Sequence, residues 1–182
     1  MIADLDMIVD HDKMVRVLSA LMDDGAKLAT VTSGCKEIAD EIRGLPPEIS
    51  PPDVARALTS IGSTPMDWSN GDDIEVRRQL VALANSIDRM RRLKKGGVAA
   101  FPGVLGSRLA AILEQLRDVG LFLVPVGELE GWLAGHGVSE SKSNKSAWAN
   151  AAAQKIQELG EQKGDVWEFV AAAGEYLSAR SH

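Results

Sequence analysis

Four carboxylates and one lysine stand at positions where residue type and spacing could do chemistry. Asp4-Leu5-Asp6 closes the short apolar stretch Met1-Ile2-Ala3. Side chains within a strand alternate between faces, but where the strand ends both acids of an Asp-x-Asp pair can turn into one crevice. Open α/β sheets bind ligands in such crevices, beyond the carboxyl ends of parallel strands. Hard carboxylate oxygens there suit Mg²⁺, which takes a few of them and keeps several waters. The alternative is that Asp4 and Asp6 only cap the following turn. A second acidic group, Gly127-Glu128-Leu129-Glu130, leaves the apolar run Leu121–Val126 and could face the same crevice. Acids also favour the first turn of a helix, a role that suits Glu128 better than Glu130. Third, Lys145 opens a helix in Ser143-Asn144-Lys145-Ser146-Ala147-Trp148, with Lys142 just before it. A cation at a helix N-terminus opposes the dipole and is at home there if a phosphate or a developing negative charge lies nearby. A solvated lysine is the other reading.

The rest of the sequence excludes several other chemistries. His11, His136 and His182 share no metal-ligand spacing, and Cys35 is the single cysteine, so neither a zinc site nor an internal disulfide is expected. Neither a G-x-x-x-x-G-K-[ST] nor a G-x-G-x-x-G loop occurs. The net charge of −6 argues against coating nucleic acid by bulk charge, although a local basic groove would suffice for an enzyme. Arg77, Arg78, Arg89, Arg91, Arg92, Lys94 and Lys95 form a run that could touch a phosphate backbone or simply face solvent. No apolar run approaches the roughly 20 residues of a membrane span, and no basic leader precedes an apolar segment. A cytoplasmic setting is expected.

The elements that must position these residues are legible from periodicity. With 182 residues, 45% hydrophobic and 4% aromatic, the chain suffices for one domain with an aliphatic core. Asp10 is a candidate N-cap for a helix carrying Met14, Val17, Leu18 and Leu21, stopped by Gly25. Residues 26–33 read as a short strand or loop, and 36–43 as weakly helical. Five of the seven prolines fall in 44–73, which reads as an insertion with a short helix at 52–61. A long helix is expected over about 73–94, with Leu80, Ala84, Ile87 and Leu93 on its apolar face. Next come a helix over 106–118, a buried strand over 121–126 and a short helix from Glu128 to Ala134. Helices over 143–159 and 165–178, within a C-terminal part spanning 139–182, end the chain. Strand and helix in alternation predict an α/β fold with a parallel sheet.

Taken together, Ile2-Ala3-Asp4-Leu5-Asp6, the segment Leu121–Leu133, Leu93–Ala99 and the Lys145-Ser146-Ala147-Trp148 helix start resemble a known family. They resemble the C-terminal TOPRIM region of AAA-type ATPases of the overcoming-lysogenization-defect (OLD) nuclease family, over most of the chain. The resemblance implies a partial, Rossmann-like TOPRIM-type parallel sheet, with a helical insertion and C-terminal helices. It also implies a Mg²⁺ (or Mn²⁺) site for phosphodiester cleavage: a DNA endonuclease or nickase in a phage-defence setting. Asp4, Asp6, Glu128 and Glu130 would ligate metal, and Lys145 would stabilise the transition state. Two metals about 3.5–4 Å apart activate water and steady the leaving oxygen in such sites. The implied partners are nucleic acid, DNA ahead of RNA, an ATPase domain or the protein's own full-length chain, and further copies as a homo-oligomer; no membrane is implied. ATP would act only through a domain this chain lacks. The family pattern also places a strand with a glutamate upstream of Asp4, so the chain would hold part of a site and be cut from a longer protein. Two alternatives stand beside this one. A catalytically incomplete remnant would act as a regulatory or interaction module. A haloacid-dehalogenase-type phosphatase would use Asp4-Leu5-Asp6, a strand at Leu28–Gly34 ending in its Ser/Thr, and Lys94 or Lys95.

Overall fold

In the computed structural model, which describes residues 1–64, 67, 71–138, 144–160 and 164–180, the chain is 75% helical. The expected Rossmann-like α/β sheet is not there. Among the described residues two three-residue strands, β1 (Ile2–Asp4) and β2 (Phe122–Val124), pair in parallel with Ile2 opposite Phe122 and Asp4 opposite Val124. β1 is not the buried strand expected, since Ile2 is 52% exposed. β2 is buried throughout.

Nine described helices carry the remainder. Asp10 caps α1 (His11–Leu21) by accepting from the Lys13 N–H, as its position suggested. Residues 26–33 are not a strand. They belong to α2 (Gly25–Gly44), a 20-residue helix that Asp24 starts by accepting from the N–H groups of Ala26 and Lys27. Val31, Cys35, Ile38 and Ile42 recur at helical spacing and are buried, so periodicity overrides the strand preference of Val31 and Thr32. Ser50 caps α3 (Pro51–Ser63), whose first residues are prolines. The long helix expected over 73–94 is broken. α4 (Asp72–Ile87) ends at Asp88, whose carboxylate accepts from the Met90 N–H, and α5 (Arg91–Gly96) begins anew. Beyond lie α6 (Val104–Asp118), α7 (Leu129–Ala134), α8 (Lys145–Leu159) and α9 (Asp165–Ala179). No single helix among the described residues is long and apolar enough to cross a membrane.

The chain divides into two compact units. The smaller, Asp40–Arg91, contains the proline-rich stretch and packs α3 on α4. The larger, Met1–Ala39 with Arg92–His182, holds the strands and the main core. There α6 buries Leu109, Ile112, Leu113 and Leu116, and Phe122, Trp132 and Phe169 meet edge to face with ring centroids 5.1–5.9 Å apart. Such aromatic pairs add about 0.5–1.5 kcal/mol each beyond their area burial.

The turn after β2 lies directly against the end of α5: the Val98 N–H donates to the Pro125 carbonyl at 2.8 Å. Gly127 (φ +103°) and Gly97 (φ +56°) stand on opposite sides of this backbone contact. A Cβ at Gly127 would fall on the carbonyls of Leu93 and Lys94, and one at Gly97 on Pro125 and Val126. Both positions therefore need glycine twice over, for backbone angle and for room. Gly127→Ala is expected to cost about 2 kcal/mol or more and to lower the melting temperature by roughly 4–8 °C. Thermal unfolding followed by circular dichroism checks this, and an unchanged melting temperature would contradict the close packing.

Candidate functional site

The parallel pairing of β1 and β2 sends both strand exits the same way. The Leu5 N–H donates to the Gly127 carbonyl at 2.9 Å, carrying the alignment one step past the ladder. The acids after each strand thus enter one neighbourhood. Asp6 lies in a 3-10 turn (Leu5–Val9), Glu128 caps α7 with its backbone, and Glu130 sits in the first turn of α7. The Leu129 N–H hydrogen-bonds Asp4. Asp4 is not a side-chain cap, because no side-chain hydrogen bond closes the turn after it.

These carboxylates sense one another. The Asp4 carboxyl is held above its ordinary range, first by burial and then by the negative charges of Glu130, Asp6 and Glu128; the Leu129 N–H partly offsets this. Two lysines temper the repulsion. Lys94 Nζ lies 2.9 Å from Asp6 Oδ2, and Lys145 Nζ donates to Glu130 Oε1. Both ammonium groups are held above the usual lysine range by these partners, with further help from Asp4 and Glu128. The Lys145–Glu130 pair is unequal: the Glu130 side chain is 8% exposed and that of Lys145 is 74% exposed. A buried carboxylate needs a cation, and here it meets one that reaches in from solvent.

The structure therefore brings Asp4, Asp6, Glu128, Glu130 and Lys145 into one electrostatic cluster. Lys142 and Ser143 lie outside the described residues. Lys94 is the residue that sequence reasoning did not place in the metal site. Its signal was Gly96-Gly97 just after it, since paired glycines at a helix end mark a close backbone approach. Of the other basic residues of that run, Arg78 pairs with Glu75 at 2.6 Å on α4.

The chain matches no protein-family model, no curated protein and no solved structure. Its site must be judged on its own chemistry. The donor set fits a hard divalent cation by type, with four carboxylates set against two ammonium groups. Among the described residues, however, no three His, Cys, Asp or Glu side chains converge as a ready ligand set. Lys94 and Lys145 hold Asp6 and Glu130 instead.

The raised Asp4 carboxyl has a signed consequence for stability. The folded protein binds the Asp4 proton more tightly than the unfolded chain does, so this group's contribution is present at low pH and is lost as pH rises through its folded-state pKa. Asp4→Asn removes that loss. The variant is expected to melt above wild type at neutral pH, with the gap closing as pH falls into the ordinary aspartate range. A melting series across pH checks this, and a variant less stable than wild type at neutral pH would contradict mutual repulsion at Asp4.

Proposed function

We propose that the cluster at the exits of β1 and β2 binds Mg²⁺ and serves phosphodiester cleavage in nucleic acid, DNA ahead of RNA. The observation that carries this reading is the meeting of four carboxylates from two strand exits with two lysines from separate helices. Asp4, Asp6, Glu128 and Glu130 would hold the ion. A divalent cation, when bound, supplies charge neutralisation at a phosphoryl oxygen and a more acidic water. The lysines do complementary work. Once a cation takes over the charge of Asp6 and Glu130, the ammonium groups of Lys94 and Lys145 become available to a phosphate oxygen. Lys145, reaching in from solvent, can make that exchange with little rearrangement. The likeness to the OLD nuclease family enters at the level of these residues, and it gives the reading its substrate class. It does not rest on a Rossmann-like sheet.

A second reading has its own observation. Because both lysines already engage the acids, the same cluster could serve as an inactive structural hub of a regulatory module. The phosphatase reading gains Lys94, which does reach the Asp pair. It loses its second strand, since Leu28–Gly34 lies inside α2 and the Thr32 hydroxyl donates to the Leu28 and Ala29 carbonyls.

Metal binding and cleavage separate these readings. At a Mg²⁺ or Mn²⁺ concentration near 100 times Kd, binding stabilises by about 2.7 kcal/mol, so the melting temperature should rise by roughly 5–10 °C. Asp4→Ala/Asp6→Ala should show no rise, and its plasmid nicking should fall by about 100-fold or more. A rise without nicking would assign a cation site and no nuclease. No rise in wild type would favour the structural hub, and turnover of a generic phosphomonoester would favour the phosphatase.

A further inference from the structure

The two lysines of the acidic cluster mark two places where positive charge is already held. Lys94 Nζ lies 2.9 Å from Asp6 Oδ2, and Lys145 Nζ donates to Glu130 Oε1. Asp4 and Glu128 are shared between them, because both acids favour the charged form of each ammonium group. The acids thus offer two cation positions, one at Asp6 and one at Glu130. That is the number a two-metal site needs.

The two positions differ in how firmly their present cation is placed. The Lys145 side chain is 74% exposed, against 44% for Lys94, and it can turn away into solvent. Lys94 belongs to the end of α5, which is pinned to the turn after β2. There the Val98 N–H donates to the Pro125 carbonyl, and the carbonyls of Leu93 and Lys94 lie 2.3 Å from where a Cβ on Gly127 would stand. The Lys94 stem therefore starts from a fixed point. Its ammonium stays within reach of the cluster whether it holds Asp6 or a phosphate oxygen. A lysine ammonium is a compact point charge, and a divalent ion brought to its side is repelled. The formal charges of these six groups lead to the same number. Four carboxylates and two ammonium groups leave two negative charges, the complement of one divalent ion.

We propose that the cluster takes one divalent cation per chain and that the Lys94 ammonium serves in place of a second ion. This rests on the metal-site reading and sets its stoichiometry, and it departs from the two-ion site that the family resemblance implies. The cation displaces Lys145 from Glu130. Lys94 remains as a protein-borne positive charge for the substrate phosphate.

The test is a count of Mn²⁺ bound per full chain, read from the loss of the electron paramagnetic resonance signal of free Mn²⁺, with circular dichroism to confirm that each variant folds. Wild type should bind one Mn²⁺. Lys94→Met, which removes the charge and keeps the bulk of the stem, should bind two, and Lys94→Arg, which keeps the charge, should bind one. Lys145→Met should still bind one, roughly tenfold more tightly, because no ammonium competes for Glu130. Two Mn²⁺ in wild type would overturn the proposal and leave the metal-site reading standing. One Mn²⁺ in Lys94→Met, or two in Lys145→Met, would overturn the part given to Lys94. None in wild type would mean that the metal-site reading itself has failed, and this proposal with it. Should Lys94→Met not fold, the counts for wild type and Lys145→Met still decide.

Discussion

The parallel pairing of two very short strands is the constraint on which the candidate site depends. β1 and β2 contribute three residues each, yet their register, extended by the Leu5 N–H to the Gly127 carbonyl, makes two chain segments more than a hundred residues apart leave the ladder side by side. Everything acidic in the site is then a matter of what comes next in each segment: Asp4 and Asp6 on one side, Glu128 and Glu130 on the other. The glycines at 97 and 127 add the third party, because only bare backbone lets the end of α5 rest on the turn after β2 and bring Lys94 to Asp6. A parallel pair this small could not stand alone. It is held by helices, with α6 packed on β2 and the aromatic cluster of Phe122, Trp132 and Phe169 behind it.

Concentrating four carboxylates in a partly buried cluster works against stability, and proteins accept that cost where charge is needed. The lysines show how this chain manages it. Glu130 is buried and so requires a counter-charge, while Lys145 is largely exposed and could be exchanged for another cation. Asp4 bears burial and three like charges on its carboxyl. A site built this way is poised to gain from any cation that enters it.

How much of this was legible in the sequence varies with the kind of signal. The exits of the two strands were readable, because charged residues directly after apolar runs are hard to explain otherwise, and Asp4, Asp6, Glu128, Glu130 and Lys145 do come together. Most helices after Gly103 were readable from spacing, as were the caps at Asp10 and Ser50. The extent of the sheet was not. β-branched Val31 and Thr32 suggested a strand at 26–33, but long-range helical periodicity through Cys35 and Ile38 carries more burial than local preference can oppose. The break at Asp88 is hidden because apolar residues continue on both sides of it, at Leu80, Ala84 and Ile87 and then at Leu93. Only the capping turn at Asp88 to Met90 reveals the stop, and of the stripe assigned to the core Leu93 is buried while Leu80, Ala84 and Ile87 are exposed. Lys94 is only half legible: Gly96-Gly97 marks a close backbone approach, but the meeting with the turn at Gly127 and the pairing with Asp6 are made by the fold.

The central proposal is that the Asp4 cluster, whose like charges hold the Asp4 carboxyl above its ordinary range, binds a divalent cation. The most direct measurement is an NMR titration of the Asp4 carboxyl carbon with and without Mg²⁺. The account predicts a midpoint above the ordinary aspartate range in the absence of Mg²⁺ and a marked fall when it is added, because a bound cation favours the ionised form. A midpoint that Mg²⁺ does not move would contradict it.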